Sequence, residues 1–183
     1  MAVSSSPTPN AARPLAAINL LDSPEFSAAF GKVYEHSAWI AERAFALRPP
    51  SGFASRAALH AALVATMHAA TEGEKIALLC AHPELAGKEA AAGTLTDDST
   101  REQAVAGLTT MSADDVIRLR ELNRLYSKKF GFPFIIAARN NTQAAIFATL
   151  EARLHNTRTM ELHNALAQVA EIARLRLSDL IAD

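Results

Sequence analysis

Helix-start signals recur along this chain, each followed by apolar residues at helical spacing. Ser55 precedes a segment in which Leu59, Leu63 and Met67 repeat every four residues, the spacing that places side chains on one helix face. Further helix starts are predicted near Ser23, Ser37, Thr71, Ser99, Ser112, Thr142 and Thr157. The pattern therefore predicts an all-α fold, a single domain of about eight helices.

One stretch resembles a strand rather than a helix. Phe132 to Ala138, FPFIIAA, is a short apolar run interrupted by a proline, and no second run of this kind is evident to pair with it. We therefore expect an extended, buried connector. The helix that starts near Ser23 is expected to continue to the neighbourhood of Tyr34-Glu35-His36.

Length and charge limit the class of protein. A chain of 183 residues suits one domain with one core, and we expect that domain to cover residues 14–183. Residues 1–13 are rich in serine, proline and alanine, so they are predicted to form a disordered tail. The 18 Lys and Arg residues nearly balance 19 Asp and Glu residues, which argues against a nucleic-acid partner.

The apolar segments predict neither a membrane protein nor a secreted one. No apolar run has the length of a membrane span, and the N-terminal residues lack the apolar segment of a signal peptide. We therefore expect a cytoplasmic protein with no membrane partner. The single cysteine, Cys80, lies in the apolar run IALLC and is expected to be a buried, unreactive thiol.

His82 is the first candidate for chemistry. It lies directly before Pro83, and because a residue before proline is disfavoured in a helix, His82 is expected where a helix gives way to a loop. A helix C-terminus favours the protonated imidazole, so His82 is predicted to be an acid/base group. The alternative is a histidine that only hydrogen-bonds the last carbonyls of its helix.

A second candidate cluster follows about twenty residues later. Ser99-Thr100-Arg101-Glu102 matches a capping box, in which Glu102 reaches back to its own helix start. The free N–H groups of such a start also suit an anionic ligand, with Gln103 as an amide donor and acceptor. Both readings remain open on the sequence alone.

The terminal helix carries two arginines, Arg174 and Arg176. Residues two apart on a helix cannot face the same way, so one of them is expected to point inward, where a guanidinium needs a carboxylate or a ligand anion. His36, next to Glu35, is a weaker candidate, more typical of a surface or packing residue.

Together these segments resemble the 2-oxo-4-hydroxy-4-carboxy-5-ureidoimidazoline (OHCU) decarboxylases of urate breakdown. Five segments match in the order of that family: GKVYEHSAWIAERAF from Gly31, HPELAGK from His82, STREQAVAGL from Ser99, LNRLYSKKFGFPFIIAAR from Leu122 and EIARLRLSDL from Glu171. The resemblance implies an all-α homodimer, with no metal and no organic cofactor, that converts OHCU to (S)-allantoin and carbon dioxide.

The resemblance also implies roles for individual residues. The family's catalytic histidine corresponds to His82, and the glutamate of its Glu-Gln pair corresponds to a catalytic Glu102. The residues implied to contact substrate are Pro83, Ser99, Gln103, Phe134, Ile135, Ile136, Ala137 and Arg176.

Two other classes of function remain as alternatives. One is an all-α binding or scaffold domain of the same fold that has lost turnover; the retained His82, Glu102 and Arg176 argue against it. The other is a metal-dependent hydrolase built on His36, His82 and nearby carboxylates, for which the ligand spacing is poor.

Overall fold

Hydroxyl and acidic side chains begin most of the helices. The computed structural model describes residues 12–182. In these residues seven helices start at a side chain that accepts a hydrogen bond from the backbone three residues on. The seven capping residues are Asp22, Ser55, Thr71, Thr96, Ser112, Thr142 and Thr157. These caps satisfy backbone N–H groups that would otherwise lack a partner at each helix start.

Ten α-helices and two very short strands make up the described chain. In order these are β1 (Arg13–Pro14), α1 (Leu15–Ile18), α2 (Ser23–Phe30), α3 (Trp39–Ala46), α4 (Arg56–Ala69), α5 (Glu72–Cys80), α6 (Lys88–Ala92), α7 (Asp97–Val105), α8 (Ala113–Phe130), α9 (Gln143–Arg153), α10 (Arg158–Leu180) and β2 (Ile181–Ala182). The all-α prediction is confirmed. The short helices α1 and α6 account for the difference from the expected eight.

Helix α10 is the central element of the core. Val169, Ala173 and Leu177 are buried along one of its faces, and the helix packs against α4, α5 and α8. At its end, β2 pairs in parallel with β1, Ile181 opposite Arg13. The sequence did not predict this two-residue ladder. Residues 1–11, most of the predicted disordered tail, lie outside the described residues.

Three local predictions need correction. Helix α2 is capped by Asp22 rather than Ser23, and it ends at Phe30 rather than near His36. Cys80, expected to be buried, is exposed at the end of α5, because the apolar run turns Leu78 and Leu79 toward the core and leaves the thiol outside. The loop that follows His82 contains the short helix α6.

The connector from Phe132 to Ala138 is buried, as predicted; residues 133–137 are neither helix nor strand, whereas Ala138 begins a 3-10 turn, Ala138–Asn140. A polar network of Arg153, Glu161 and Tyr126 anchors this connector. Arg153 donates to the carbonyl of Ile135 at 2.8 Å and to the carboxylate of Glu161 at 2.8 Å. The hydroxyl of Tyr126 also donates to Glu161. Because Glu161 is fully buried and Arg153 nearly so, each charge depends on the other for compensation.

We expect Arg153→Ala to lower the free energy of unfolding by about 3 to 5 kcal/mol, because it leaves a buried carboxylate without its cation. Urea denaturation measures the difference. Arg158→Ala is the matched control, because Arg158 makes an exposed ion pair with Glu72 and exposed pairs contribute little. Equal losses from both variants would contradict the role given to the Arg153–Glu161 pair.

Candidate active site

His82 lies just beyond the C-terminus of α5 and is 7% exposed. Its Nδ1 is 2.9 Å from the carbonyl oxygen of Leu78. Because a carbonyl only accepts, this contact places the imidazole proton on Nδ1 and leaves a lone pair on Nε2. Nε2 is buried and has no hydrogen-bond partner among residues 12–182. His82 is therefore oriented with its basic nitrogen available to a ligand in the adjoining pocket.

Burial decides the protonation state of His82. Loss of water around the ring lowers its pKa to about 4, and the charges of Arg176 and His36 act in the same direction. The hydrogen bond to Leu78 and the charge of Glu35 oppose this shift without cancelling it. The helix C-terminus was expected to favour the protonated ring; instead desolvation dominates, and the ring is neutral at pH 7.

The loop after His82 forms one wall of the pocket. Ala86 has a left-handed backbone with φ of 49°, a conformation that costs energy for a residue with a Cβ. The loop is held there because the N–H of Ala86 donates to Oε1 of Gln103 at 2.9 Å and the amide of Asn123 donates to the carbonyl of Leu85 at 3.0 Å. Since the Gln103 oxygen is engaged, its amide nitrogen is the group left to donate to a ligand.

Helix α7 starts three residues earlier than the sequence suggested. Thr96 is its cap and accepts from the N–H of Ser99, so the predicted capping box at Ser99 and Glu102 is wrong. Glu102 lies within the helix and is paired with Arg176 through two hydrogen bonds, Nε to Oε1 at 2.8 Å and Nη2 to Oε2 at 2.7 Å. This two-pronged geometry is the strong form of an arginine–carboxylate pair.

Arg176 is the inward-facing arginine of α10. It is 4% exposed, whereas Arg174 is exposed and pairs with Glu171 on the surface. Besides Glu102, Arg176 donates to the carboxylate of Glu35 at 2.9 Å and to the carbonyl of Val33 at 3.3 Å. All its nitrogens are therefore engaged in the described structure, and the guanidinium faces two carboxylates.

Glu35 is the residue of this cluster that the sequence interpretation missed. It is 3% exposed and accepts from the hydroxyl of Ser99 at 2.5 Å. It reaches inward because α2 stops at Phe30 and a turn follows, in which His36 has φ of 45°. Only an indirect indication of this role is present in the sequence. An inward-facing Arg176 requires buried negative charge, and Glu35 lies in GKVYEHSAWIAERAF, one of the segments that match the family.

The connector supplies the remaining wall. Phe134, Ile135, Ile136 and Ala138 line the pocket, whereas the predicted Ala137 does not line it. The N–H of Ala137 donates instead to Gln168 at 2.9 Å. Within residues 12–182 the backbone N–H groups of Phe134, Ile135 and Ile136 have no hydrogen-bond partner. Because buried backbone groups are nearly always paired, the pocket-lining Ile136 is a candidate to bind a ligand through its backbone.

The pocket brings together most of the predicted site residues. They come from separate parts of the chain, namely the end of α5, α7, the connector and α10: His82, Pro83, Ser99, Glu102, Gln103, Phe134, Ile135, Ile136 and Arg176. Among residues 12–182, no group of three or more His, Cys, Asp or Glu side chains is arranged to hold a metal ion. Glu102, which lines the pocket, and the nearby Glu35 are instead both paired with the cationic Arg176, which does not favour a second cation beside it.

Comparison with known proteins gives one consistent result. A family model described as OHCU decarboxylase matches residues 19–178. The 2-oxo-4-hydroxy-4-carboxy-5-ureidoimidazoline decarboxylase of Mus musculus is 39% identical over 164 residues, covering 90% of each chain. The protein of the same name from Haloferax volcanii is 38% identical over 162 residues, covering 88% of this chain and 92% of its own.

Longer proteins are similar over part of their length. The uric acid degradation bifunctional protein PucL of Bacillus subtilis is 38% identical over 91% of this chain, which spans only 32% of PucL. Two solved structures are similar: a crystal structure of (S)-allantoin synthase with a TM-score of 0.72 and 29% identity, over 93% of this chain and 54% of that one; and one of OHCU decarboxylase in the presence of (S)-allantoin with a TM-score of 0.65 and 27% identity, over 83% of this chain and 96% of that one.

We expect the His82 imidazole to remain neutral, with its proton on Nδ1, well below neutral pH, because burial lowers its pKa to about 4. Nitrogen-detected NMR of histidine-labelled protein measures both the tautomer and the titration. The exposed His155 serves as a reference for signal assignment through a His155→Gln variant. A His82 imidazolium signal at pH 7, or a proton on Nε2, would contradict the assignment.

Proposed function

Because the chain belongs to the OHCU decarboxylase family, we propose that it removes carbon dioxide from OHCU and releases (S)-allantoin in urate degradation. The observation that carries the proposal is the orientation of His82. Its Nε2 is buried, carries a lone pair and lacks a partner in the described structure, and His82 lines the same pocket as Gln103 and Ile136. Such convergent polar groups in an apolar pocket are typical of a small-molecule site.

The substrate's own structure explains why no cofactor is needed. One ring carbon of OHCU carries both the hydroxyl and the carboxylate, and it adjoins a ring carbon with a double bond to nitrogen. When the bond to the carboxylate breaks, its electron pair moves into this system and carbon dioxide leaves. The hydroxyl then loses its proton to become a carbonyl, and two protons are taken up, one by the neighbouring carbon, which carries the ureido group, and one by the ring nitrogen that received the electron pair. The hydroxyl supplies one of these protons and solvent the other.

His82 is suited to the first of these proton transfers. A neutral imidazole accepts the hydroxyl proton through Nε2 while Nδ1 stays bonded to Leu78. Glu102 is the second acid/base group, because it is the carboxylate that lines the pocket and its side chain is 12% exposed, whereas that of Glu35 is 3% exposed. Protonation of the ring carbon from one face only produces one enantiomer.

Arg176 has a smaller role in binding the substrate carboxylate than the sequence suggested. Its nitrogens already donate to Glu102, Glu35 and the carbonyl of Val33, so a substrate carboxylate meets no unpaired guanidinium nitrogen unless Glu102 shares or yields the guanidinium. This arrangement suits a decarboxylation, because a strong ion pair to the departing carboxylate would stabilise the ground state and be lost as neutral carbon dioxide forms. Gln103 and Ile136 then hold the ureido and ring amide groups.

We also propose that the protein is a homodimer, as the family resemblance implies, and that it is cytoplasmic. Light scattering after gel filtration tests the homodimer. No helix in residues 12–182 is both long and apolar enough to cross a membrane. A binding domain without turnover is disfavoured because the acid/base and recognition residues remain together in one pocket.

We expect this protein to yield an excess of (S)-allantoin from OHCU generated in place from urate by a urate oxidase and a hydroxyisourate hydrolase. Chiral chromatography measures the excess, and handedness is the stronger readout because OHCU also decays spontaneously to racemic allantoin. His82→Ala should return the product to the racemate, because the proton acceptor is lost.

His155→Ala is the matched control for that variant, since His155 is exposed and away from the pocket. It should retain the excess of the (S) enantiomer. A racemic product from the unaltered protein would contradict the proposed function, and full stereocontrol in His82→Ala would contradict the role of His82.

A further inference from the structure

Glu35 is a buried carboxylate to which the proposed chemistry assigns no part. It is in the turn between α2 and α3, at 3% exposure. One oxygen, Oε1, accepts hydrogen bonds from the hydroxyls of Ser99 at 2.5 Å and Thr96 at 3.1 Å, and from Nη2 of Arg176 at 2.9 Å. Burying a carboxylate costs free energy unless it is hydrogen-bonded or paired, and this one oxygen accepts from three donors.

These contacts join two walls of the pocket. Thr96 caps α7 and Ser99 lies in its first turn, whereas Arg176 belongs to α10. Through them Glu35 fixes the start of α7 against α10, and Glu102 follows on the next turn of α7. Both hydrogen-bonding capacities of the Ser99 hydroxyl are used here, because it donates to Glu35 and accepts from Arg176 at 3.3 Å.

The same carboxylate contributes charge to the pocket. Burial acts to raise the pKa of Glu35, but the hydrogen bond from Ser99 and the charge of Arg176 outweigh it and lower that pKa, so the group is ionised. The charged or titratable groups that face His82 are Glu35, His36 and Arg176, with Glu102 bound to Arg176. Of those that act on the His82 pKa, Glu35 is the one that favours an added proton.

We propose that Glu35 is a positioning residue for the decarboxylation: its ionised carboxylate fixes Arg176 and Ser99 and stabilises His82 while His82 holds the substrate's proton. This inference rests on the proposed function. It gives the site a fixed negative charge, which does not touch substrate, opposite a base that becomes cationic during the reaction. Glu102, paired with Arg176 and more exposed, remains the carboxylate available to the substrate.

Two substitutions separate charge from shape. Glu35→Gln keeps an oxygen acceptor of nearly the same size and removes the charge, whereas Glu35→Asp keeps the charge on a shorter side chain. We expect kcat to fall about tenfold in Glu35→Gln, with KM unchanged or lower because one negative charge is removed near an anionic substrate. Glu35→Asp should retain a higher kcat than Glu35→Gln.

Glu171→Gln is the control, the same change at a carboxylate of α10 that pairs with an arginine on the surface, outside the pocket. It should keep kcat within about twofold. Thermal unfolding of each variant shows that the proteins compared are folded.

The outcomes distinguish this inference from the function it rests on. If the unaltered protein produces racemic allantoin, the proposed function fails and the inference fails with it. If the unaltered protein is active but Glu35→Gln keeps its kcat, or loses activity only through KM, the inference alone is overturned. A higher kcat in Glu35→Gln than in Glu35→Asp also overturns it, because Glu35 would then act only as a hydrogen-bond acceptor.

Discussion

The ion pairs of Arg176 are the interaction on which the candidate site depends. One buried guanidinium contacts carboxylates from two distant parts of the chain, Glu35 and Glu102. A buried charge is stable only when it is paired and hydrogen-bonded, so α10, α7 and the turn after α2 are held in one arrangement. Within this cluster the charge of Glu35 raises the pKa of the neighbouring His82 imidazole, and the charge of Arg176 lowers it.

A second constraint sets the direction of His82. The carbonyl of Leu78, in the last turn of α5, binds Nδ1 and so fixes the tautomer. Burial then keeps the ring neutral. A helix end and an apolar pocket together produce a base with its lone pair toward the ligand, and the strained Ala86, held by Gln103, closes the wall beside it.

Sequence reasoning predicted what depends on local pattern. The caps at Ser55, Ser112 and Thr157, the buried connector and the inward arginine are all found in the structure. The family was identified from short segments in the correct order, and it is confirmed. These features depend on neighbours along the chain or on residues grouped within a segment.

The errors arose where long-range contacts override local rules. Thr96 and Ser99 both suit a helix cap, and the hydroxyl of Ser99 is taken by Glu35, 64 positions away in the chain. The position of Glu102 in the sequence fits a capping box, but its carboxylate instead binds Arg176, 74 positions away in the chain. The sign of the His82 shift was misjudged because the depth of burial depends on packing that no local pattern reveals.

The central claim is that His82 Nε2, the Ile136 backbone and the Gln103 amide converge on one ligand. A crystal structure of this protein with (S)-allantoin bound tests it most directly. We expect the product to bind in this pocket, with polar atoms about 3 Å from His82 Nε2 and from the Ile136 N–H, and Arg176 to remain bound to Glu35. Product bound at another site, or in this pocket without a contact to His82, would contradict it.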